Sequence, residues 1–241
     1  MAKLGSERPA IKQLKTLERE AFNFALAVCD EAHHVYMTGG SGIAGRTAYE
    51  LNLQKNDWVT LPRFTHARSE HAAIRTGENL YVFGGRDNKA QAVGSIEMLK
   101  CFKINNGHAK QWVMLMETED LVKRENPSIC AMGDGKVAVF GGYHNVSTLT
   151  DGYVFDEESK QVTYILGGEH DFGLQSYTPT IKLSNMRYMT FGKGPEKLKL
   201  NLVEFIYNSG SPAESEARVK ADYDAVLPRA KVLHKAAQMV G

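Results

Sequence analysis

Three times in this chain an apolar, β-branched run is stopped by two adjacent glycines, and that repetition constrains the fold more than any other feature. The runs are Val35–Ser41 (V-Y-M-T-G-G-S), Asn79–Arg86 (N-L-Y-V-F-G-G-R) and Lys136–Tyr143 (K-V-A-V-F-G-G-Y), with a weaker fourth at Arg187–Lys193 (R-Y-M-T-F-G-K). Their equivalent positions Tyr36, Tyr81, Ala138 and Tyr188 stand 45, 57 and 50 residues apart. Strand-built units recurring at about 50 residues are the signature of a propeller array. The chain is therefore expected to be an all-β repeat protein.

Each unit supplies the parts of a four-stranded antiparallel blade. Inner strands are predicted at Ala25–Cys29, His71–Arg75, Ser128–Met132 and Tyr177–Lys182, each followed by a turn rich in Gly, Asn, Asp or Glu. Counting back seven residues from each anchor gives Cys29, Ile74, Ala131 and Ile181, which predicts one common register. Third strands are predicted at Ala48–Asn52, Ile96–Ile104, Gly152–Asp156 and Leu202–Asn208. Outer strands follow at Asp57–Leu61, Gln111–Met116 and Gln161–Ile165, with none evident in the fourth unit.

These residues resemble the kelch family. The glycine pairs Gly39-Gly40, Gly84-Gly85 and Gly141-Gly142, the later Tyr49 and Tyr153, and the closing Trp58 and Trp112 all match its motif, as does R-S-E-H-A-A-I at Arg68–Ile74. The likeness runs from about Ala21 to Asn208. Phe191-Gly192 keeps half of a doublet, and Val162 stands at the third tryptophan position. The resemblance implies a β-propeller of about four blades. The glycines are then structural, allowing close backbone approach near the ring axis, and Trp and Tyr fill the space between blades. About 190 residues of repeat fall short of six blades at about 50 each. Three readings compete: a small closed ring, an open arc whose exposed edges the helical tail, the N-terminal segment or a partner covers, or a ring completed by another chain. The expectation is an incomplete arc held within an assembly.

The ends differ in character. Residues 1–20 are polar and basic, with Ile11, Leu14 and Leu17 at three-residue steps, suiting either a short helix or an edge strand of an incomplete blade. Residues 21–210 hold the repeats. In residues 211–241, Ser211-Pro212-Ala213-Glu214 is a helix start, and Val219, Tyr223 and Val226 share one helical face, which predicts a helical tail.

Composition excludes several classes of function. A net charge of +1 offers no broad basic surface for nucleic acid, and no apolar run is long enough for a membrane span. Three cysteines without C-x-x-C spacing suit reduced thiols in an intracellular, cytoplasmic or cytoskeletal protein. Glu169-His170-Asp171 with His144 lacks metal-ligand spacing, and no phosphate loop or G-x-S-x-G nucleophile motif occurs. No cofactor is expected.

By the resemblance, the loops joining second to third strands and outer to next inner strands share one face that binds partners. That face would present Arg46, Arg63, Phe64, His66, Arg68, Arg86, Asp87, Arg124, His144, Asn145, Glu169, His170, Asp171 and Phe172. Arginine and aromatic side chains dominate protein interfaces. The sequence reads as a non-enzymatic protein–protein interaction module or scaffold subunit. The alternative is an enzyme or small-ligand binder using the propeller's central pocket.

Overall fold

The computed structural model describes residues 13–17, 22–29, 33–104, 107–145, 147–149, 151–165, 180–184, 187–193, 198–205 and 217–218. Positions 29, 43–44, 102–104, 107–108, 165 and those from 180 onward are described by backbone alone. Each glycine-ended run lies in a separate four-stranded antiparallel sheet. Blade 1 comprises β1 (Ala25–Cys29), β2 (His34–Thr38), β3 (Ala48–Asn52) and β4 (Asp57–Leu61). Blade 2 comprises β5 (Ala72–Thr76), β6 (Asn79–Phe83), β7 (Ile96–Ile104) and β8 (Gly107–Met116). Blade 3 is built from β9 (Ser128–Gly133) and β10 (Lys136–Phe140). A small hairpin of β11 (Tyr143–His144) and β12 (Ser147–Thr148) interrupts it before β13 (Gly152–Asp156) and β14 (Gln161–Ile165). Blade 4 holds β15 (Thr180–Ser184), β16 (Arg187–Lys193), β17 (Leu198–Phe205) and β18 (Ala217–Arg218).

The second strands of blades 1 to 3 are mostly apolar because both of their faces are largely buried. On β6, Leu80 and Val82 point back into a core shared with Ala25, Ala27, Tyr36, Ala48 and Leu61 of blade 1. Tyr81 and Phe83, one step out of phase, point forward to Val137, Val139, Tyr153 and Phe155 of blade 3. This is the period of two of a strand, used to serve two neighbours. Each buried aliphatic or aromatic side chain is worth about 1.5–3 kcal/mol, so both inter-blade cores rank among the main sources of stability. Trp112 sits in the first core with its Nε1 donating to Pro62 O at 2.8 Å. Tyr49 is buried in blade 1, and half-buried Trp58 donates from Nε1 to Lys15 O at 2.8 Å.

Several local expectations are corrected. The common seven-residue register holds only in blade 2, where Ile74 pairs with Tyr81. A longer turn in blade 1 pairs Tyr36 with Ala27, a bulge in blade 3 pairs Ala138 with Cys130, and Tyr188 pairs with Lys182. Turn length and bulges, not strand phase, set each register. His71 precedes β5, and β8 begins at Gly107, which pairs with Ile104 of β7. In blade 4 the described parts of the inner and third strands are Thr180–Ser184 and Leu198–Phe205, and β18 pairs with the latter. Ala217 and Arg218 therefore pair with the edge of β17, where the capping pattern predicted helix. An open row of backbone donors and acceptors outweighed a local preference. The rest of the expected tail lies outside the described residues. Residues 13–17 are not helical; Lys15 N–H donates to Asn56 Oδ1 at 2.8 Å, close to the outer strand of blade 1.

Candidate functional site

The glycine doublets form the floor of the loop face. Gly39, Gly84 and Gly141 have φ of 61°, 60° and 63°, a left-handed conformation that side chains with a Cβ resist. Space is equally restrictive. A Cβ on Gly84 would lie 2.6 Å from Val122 O, and one on Gly39 would lie 2.5 Å from Arg68 O. The first two doublets thus each receive the linker that enters the next blade. Gly40 N–H donates to Arg68 O and Gly85 N–H donates to Arg124 O, both at 2.9 Å.

The same two arginines reach forward with their side chains. Arg68 Nη1 donates to Gly84 O at 2.9 Å and Ser95 O at 3.2 Å, while Nη2 donates to Ser95 Oγ and Glu97 Oε1, both at 2.7 Å. Both charged side chains are fully buried. Glu97 also accepts the backbone N–H of Thr65 at 2.6 Å and of His66 at 3.1 Å, so its charge is fully hydrogen-bonded. Burial pulls the guanidinium pKa of Arg68 down and Glu97 opposes that. Arg124 repeats the device one blade on. Its Nη1 donates to Gly141 O at 3.0 Å and Asp151 O at 3.1 Å, and its guanidinium lies 5.3 Å from the centre of the Tyr153 ring. Each arginine therefore fastens two successive doublets, one by its carbonyl and one by its side chain.

This corrects the partner-binding reading of three residues. Phe64, Arg68 and Arg124 are 0%, 0% and 2% exposed. Phe64 packs edge-on against Trp112 at 5.3 Å between ring centroids. A guanidinium that satisfies buried carbonyls is scaffold, because removing it would orphan them.

His71 is buried beside the first doublet, its Nε2 2.8 Å from Thr38 Oγ1. Burial, reinforced by the charge of Arg68, holds its imidazole well below its ordinary 6.5. The unfolded chain takes up a proton near pH 6.5 that the folded chain refuses. Stability from this group is thus complete above that pH and declines as pH falls below it, by up to about 1.4 kcal/mol per pH unit. Urea unfolding at several pH values should show this decline, and His71→Gln should flatten it.

What remains at the surface is a mixed, polar face. Arg63 is exposed, and the His66 side chain is 38% exposed, 3.9 Å from Glu117. Exposed Arg46 donates from Nε to Phe64 O at 2.7 Å. Asp87 Oδ1 accepts the N–H groups of Lys89 and Gln91, both at 2.8 Å, shaping its own turn. His144 and Asn145 lie at the tip of the β11–β12 hairpin, Asn145 with φ 46°. Glu169, His170, Asp171 and Phe172 lie outside the described residues.

Sequence reasoning missed a second feature, next to Arg86. Asn23, Glu70 and Asn126 all have positive φ, at 56°, 55° and 49°. They are strung together by Glu70 N–H to Asn23 O at 2.9 Å and Asn126 N–H to Glu70 O at 2.6 Å. Arg86 stands between the carboxylates of Glu70 and Glu125, 3.9 and 3.7 Å away. Burial raises the Glu125 carboxyl; Arg86 opposes this and Glu70 adds to it. The parallel between Arg68-Ser-Glu70 and Arg124-Glu-Asn126 was the available signal. A groove of about 360 Å³ runs along β1, β5 and the start of β9, lined by Ala27, His71, Ala73, Arg75 and Ser128 among others. Among the described residues no group of three His, Cys, Asp or Glu side chains is placed to hold a metal ion, and no helix is long and apolar enough to cross a membrane.

Residues 23–203 match the sequence model of the KLHDC2/KLHL20/DRC7 Kelch-repeats domain, three quarters of the chain. The fold is similar to the solved structure of YjhT, with a TM-score of 0.59 and 18% identity, covering 85% of this chain and 69% of that one. No curated protein matches the sequence.

Proposed function

The chain belongs to the kelch-repeat family of the KLHDC2/KLHL20/DRC7 domain, and on that premise we propose that it is a protein-binding scaffold module that carries out no reaction itself. One observation carries the reading: the loop face divides into a rigid floor and a polar surface. Arg68 and Arg124 are consumed in fixing the doublets, while Arg63 and Asn145 stay exposed and Arg86 half-exposed above them. Preorganised loops bearing arginine suit recognition of a folded partner, because little ordering cost is left for binding. Kelch domains commonly mediate protein contacts. We place the module inside the cell, in the cytoplasm or on the cytoskeleton; the free thiols of Cys101 and Cys130 suit a reducing compartment.

The groove along the inner strands, with His71 in its wall, favours a second reading, a small-ligand binder or enzyme acting at the axis. Capture of partners from native extract separates the two. The double variant Arg63→Glu, Asn145→Lys is expected to lose at least about 10-fold of the captured partner at unchanged melting temperature, as for hot-spot positions. Equal capture by both proteins, with a small molecule carried in the native mass spectrum, would favour the groove.

A further inference from the structure

Arg86 and Glu125 stand side by side on the loop face with the hydrogen-bonding capacity of their side chains unused. Each is fixed at its backbone. Arg86, the residue after the second doublet, exchanges two hydrogen bonds of 2.9 Å with Ser69. Glu125 exchanges two of 2.8 Å with Tyr143, the residue after the third doublet. Arg86 Nη1 lies 3.7 Å from Glu125 Oε2 and 3.9 Å from Glu70 Oε1, both beyond hydrogen-bond reach. Among the described residues neither the guanidinium of Arg86 nor the carboxylate of Glu125 makes a hydrogen bond. Their side chains are 35% and 13% exposed, so a ligand can reach the first and would find the second largely shielded from water.

Glu70 is differently placed. Its Oε2 accepts from Asn126 Nδ2 at 2.9 Å and its Oε1 from Asn23 Nδ2 at 3.3 Å, which ties its carboxylate into the chain of linkers. Glu70 and Glu125 together set two negative charges around one guanidinium. A ligand carboxylate drawn to Arg86 would meet both of them, and a ligand ammonium drawn to Glu125 would meet Arg86; like charges at such distances oppose either one. What fits is a neutral group that offers an acceptor to Arg86 and a donor to Glu125. Both must lie on one edge of the ligand, because the two host atoms are only 3.7 Å apart. A primary carboxamide meets this demand, with its oxygen and one N–H side by side. A trans peptide group does not, since its C=O and N–H point in opposite directions.

We propose that Arg86 and Glu125 form a subsite for a primary carboxamide, the side chain of an asparagine or glutamine on the partner protein. The carboxamide oxygen accepts from the Arg86 guanidinium and the nitrogen donates to Glu125. Both hydrogen bonds are charge-assisted, and both host residues are already held at their backbones, so little ordering opposes binding. Glu70 steadies the guanidinium through its own ion pair. The inference rests on the protein-binding reading and names a group that this surface recognises.

Propionamide is the probe, titrated to about 0.2 M while backbone amide resonances are followed by heteronuclear NMR. Saturable shifts are expected at Gly85, Arg86, Glu125 and Tyr143, with a dissociation constant on the order of 10–100 mM, the weak end for so small a ligand. Arg86→Met and Glu125→Leu should each weaken binding at least about 10-fold, with resonances away from the subsite unmoved. Propionate, propylammonium and N-methylacetamide, the last standing for a peptide backbone, should not saturate in this range. That comparison uses the wild type alone, so it does not depend on either variant folding. No saturable shift with propionamide, equal binding of any of the three control compounds, or a folded variant that binds as well as wild type would each overturn the proposal. Partner capture lost in Arg63→Glu, Asn145→Lys without propionamide binding would remove the subsite and leave the protein-binding reading standing. Propionamide binding with capture unchanged would do the reverse.

Discussion

Arg68→Ala is expected to lower folding stability by about 3–5 kcal/mol, the cost of stranding one partner of a buried ion pair. The substitution removes donors from Gly84 O, Ser95 O and Ser95 Oγ and leaves Glu97 ionised with only the Thr65 and His66 amides. It also opens a void beside Phe64, over whose ring the guanidinium lies at 5.7 Å. Glu97→Gln in the Arg68→Ala background should recover part of the loss, since a neutral amide in that site costs less than an unpaired carboxylate. Urea unfolding followed by tryptophan fluorescence would measure both. A loss below about 1 kcal/mol, the scale of a surface ion pair, would mean that Arg68 reaches solvent.

Gly84→Ala should be comparably damaging for a different reason. Its φ of 60° disfavours any Cβ, and that Cβ would meet Val122 O at 2.6 Å and Arg124 O at 2.7 Å. Neither oxygen belongs to a flexible side chain, so blade 2 would have to move away from the linker entering blade 3. Gly77→Ala is the internal control, with φ of 56° and nothing within 4 Å. The control should show only the backbone cost of about 1–2 kcal/mol, and the loss at Gly84 should exceed it by at least about 2 kcal/mol through overpacking. Equal losses would remove the close approach of linker and doublet from the account.

The architecture was legible because its cause is periodic. Tyr36, Tyr81 and Ala138 recur with glycines three and four residues later, and that pattern requires buried second strands ending in tight, crowded turns. Aromatic positions such as Trp112 and Tyr153 followed, since large apolar side chains at fixed phase must fill the spaces between blades. Register did not follow, because it depends on turn length and bulges, which vary from unit to unit. The loop face was read least well. Arg68 and Arg124 are charged residues in loops, and charge alone predicts exposure. Their burial comes from backbone carbonyls converging from two blades, a tertiary arrangement that composition does not encode. β18 was missed for a related reason: Ala217 and Arg218 form a strand because an edge of β17 is available to them, not because of their own pattern.

The central claim is that the linkers entering blades 2 and 3 are locked to the doublets of the preceding blades. Hydrogen exchange of individual backbone amides tests it directly. The account predicts that Gly40 and Gly85, which donate to Arg68 O and Arg124 O, exchange as slowly as amides within β2 and β6. Ala90, whose amide donates to Asp87 O in an exposed turn, should exchange far faster. Doublet amides exchanging as fast as Ala90 would contradict it.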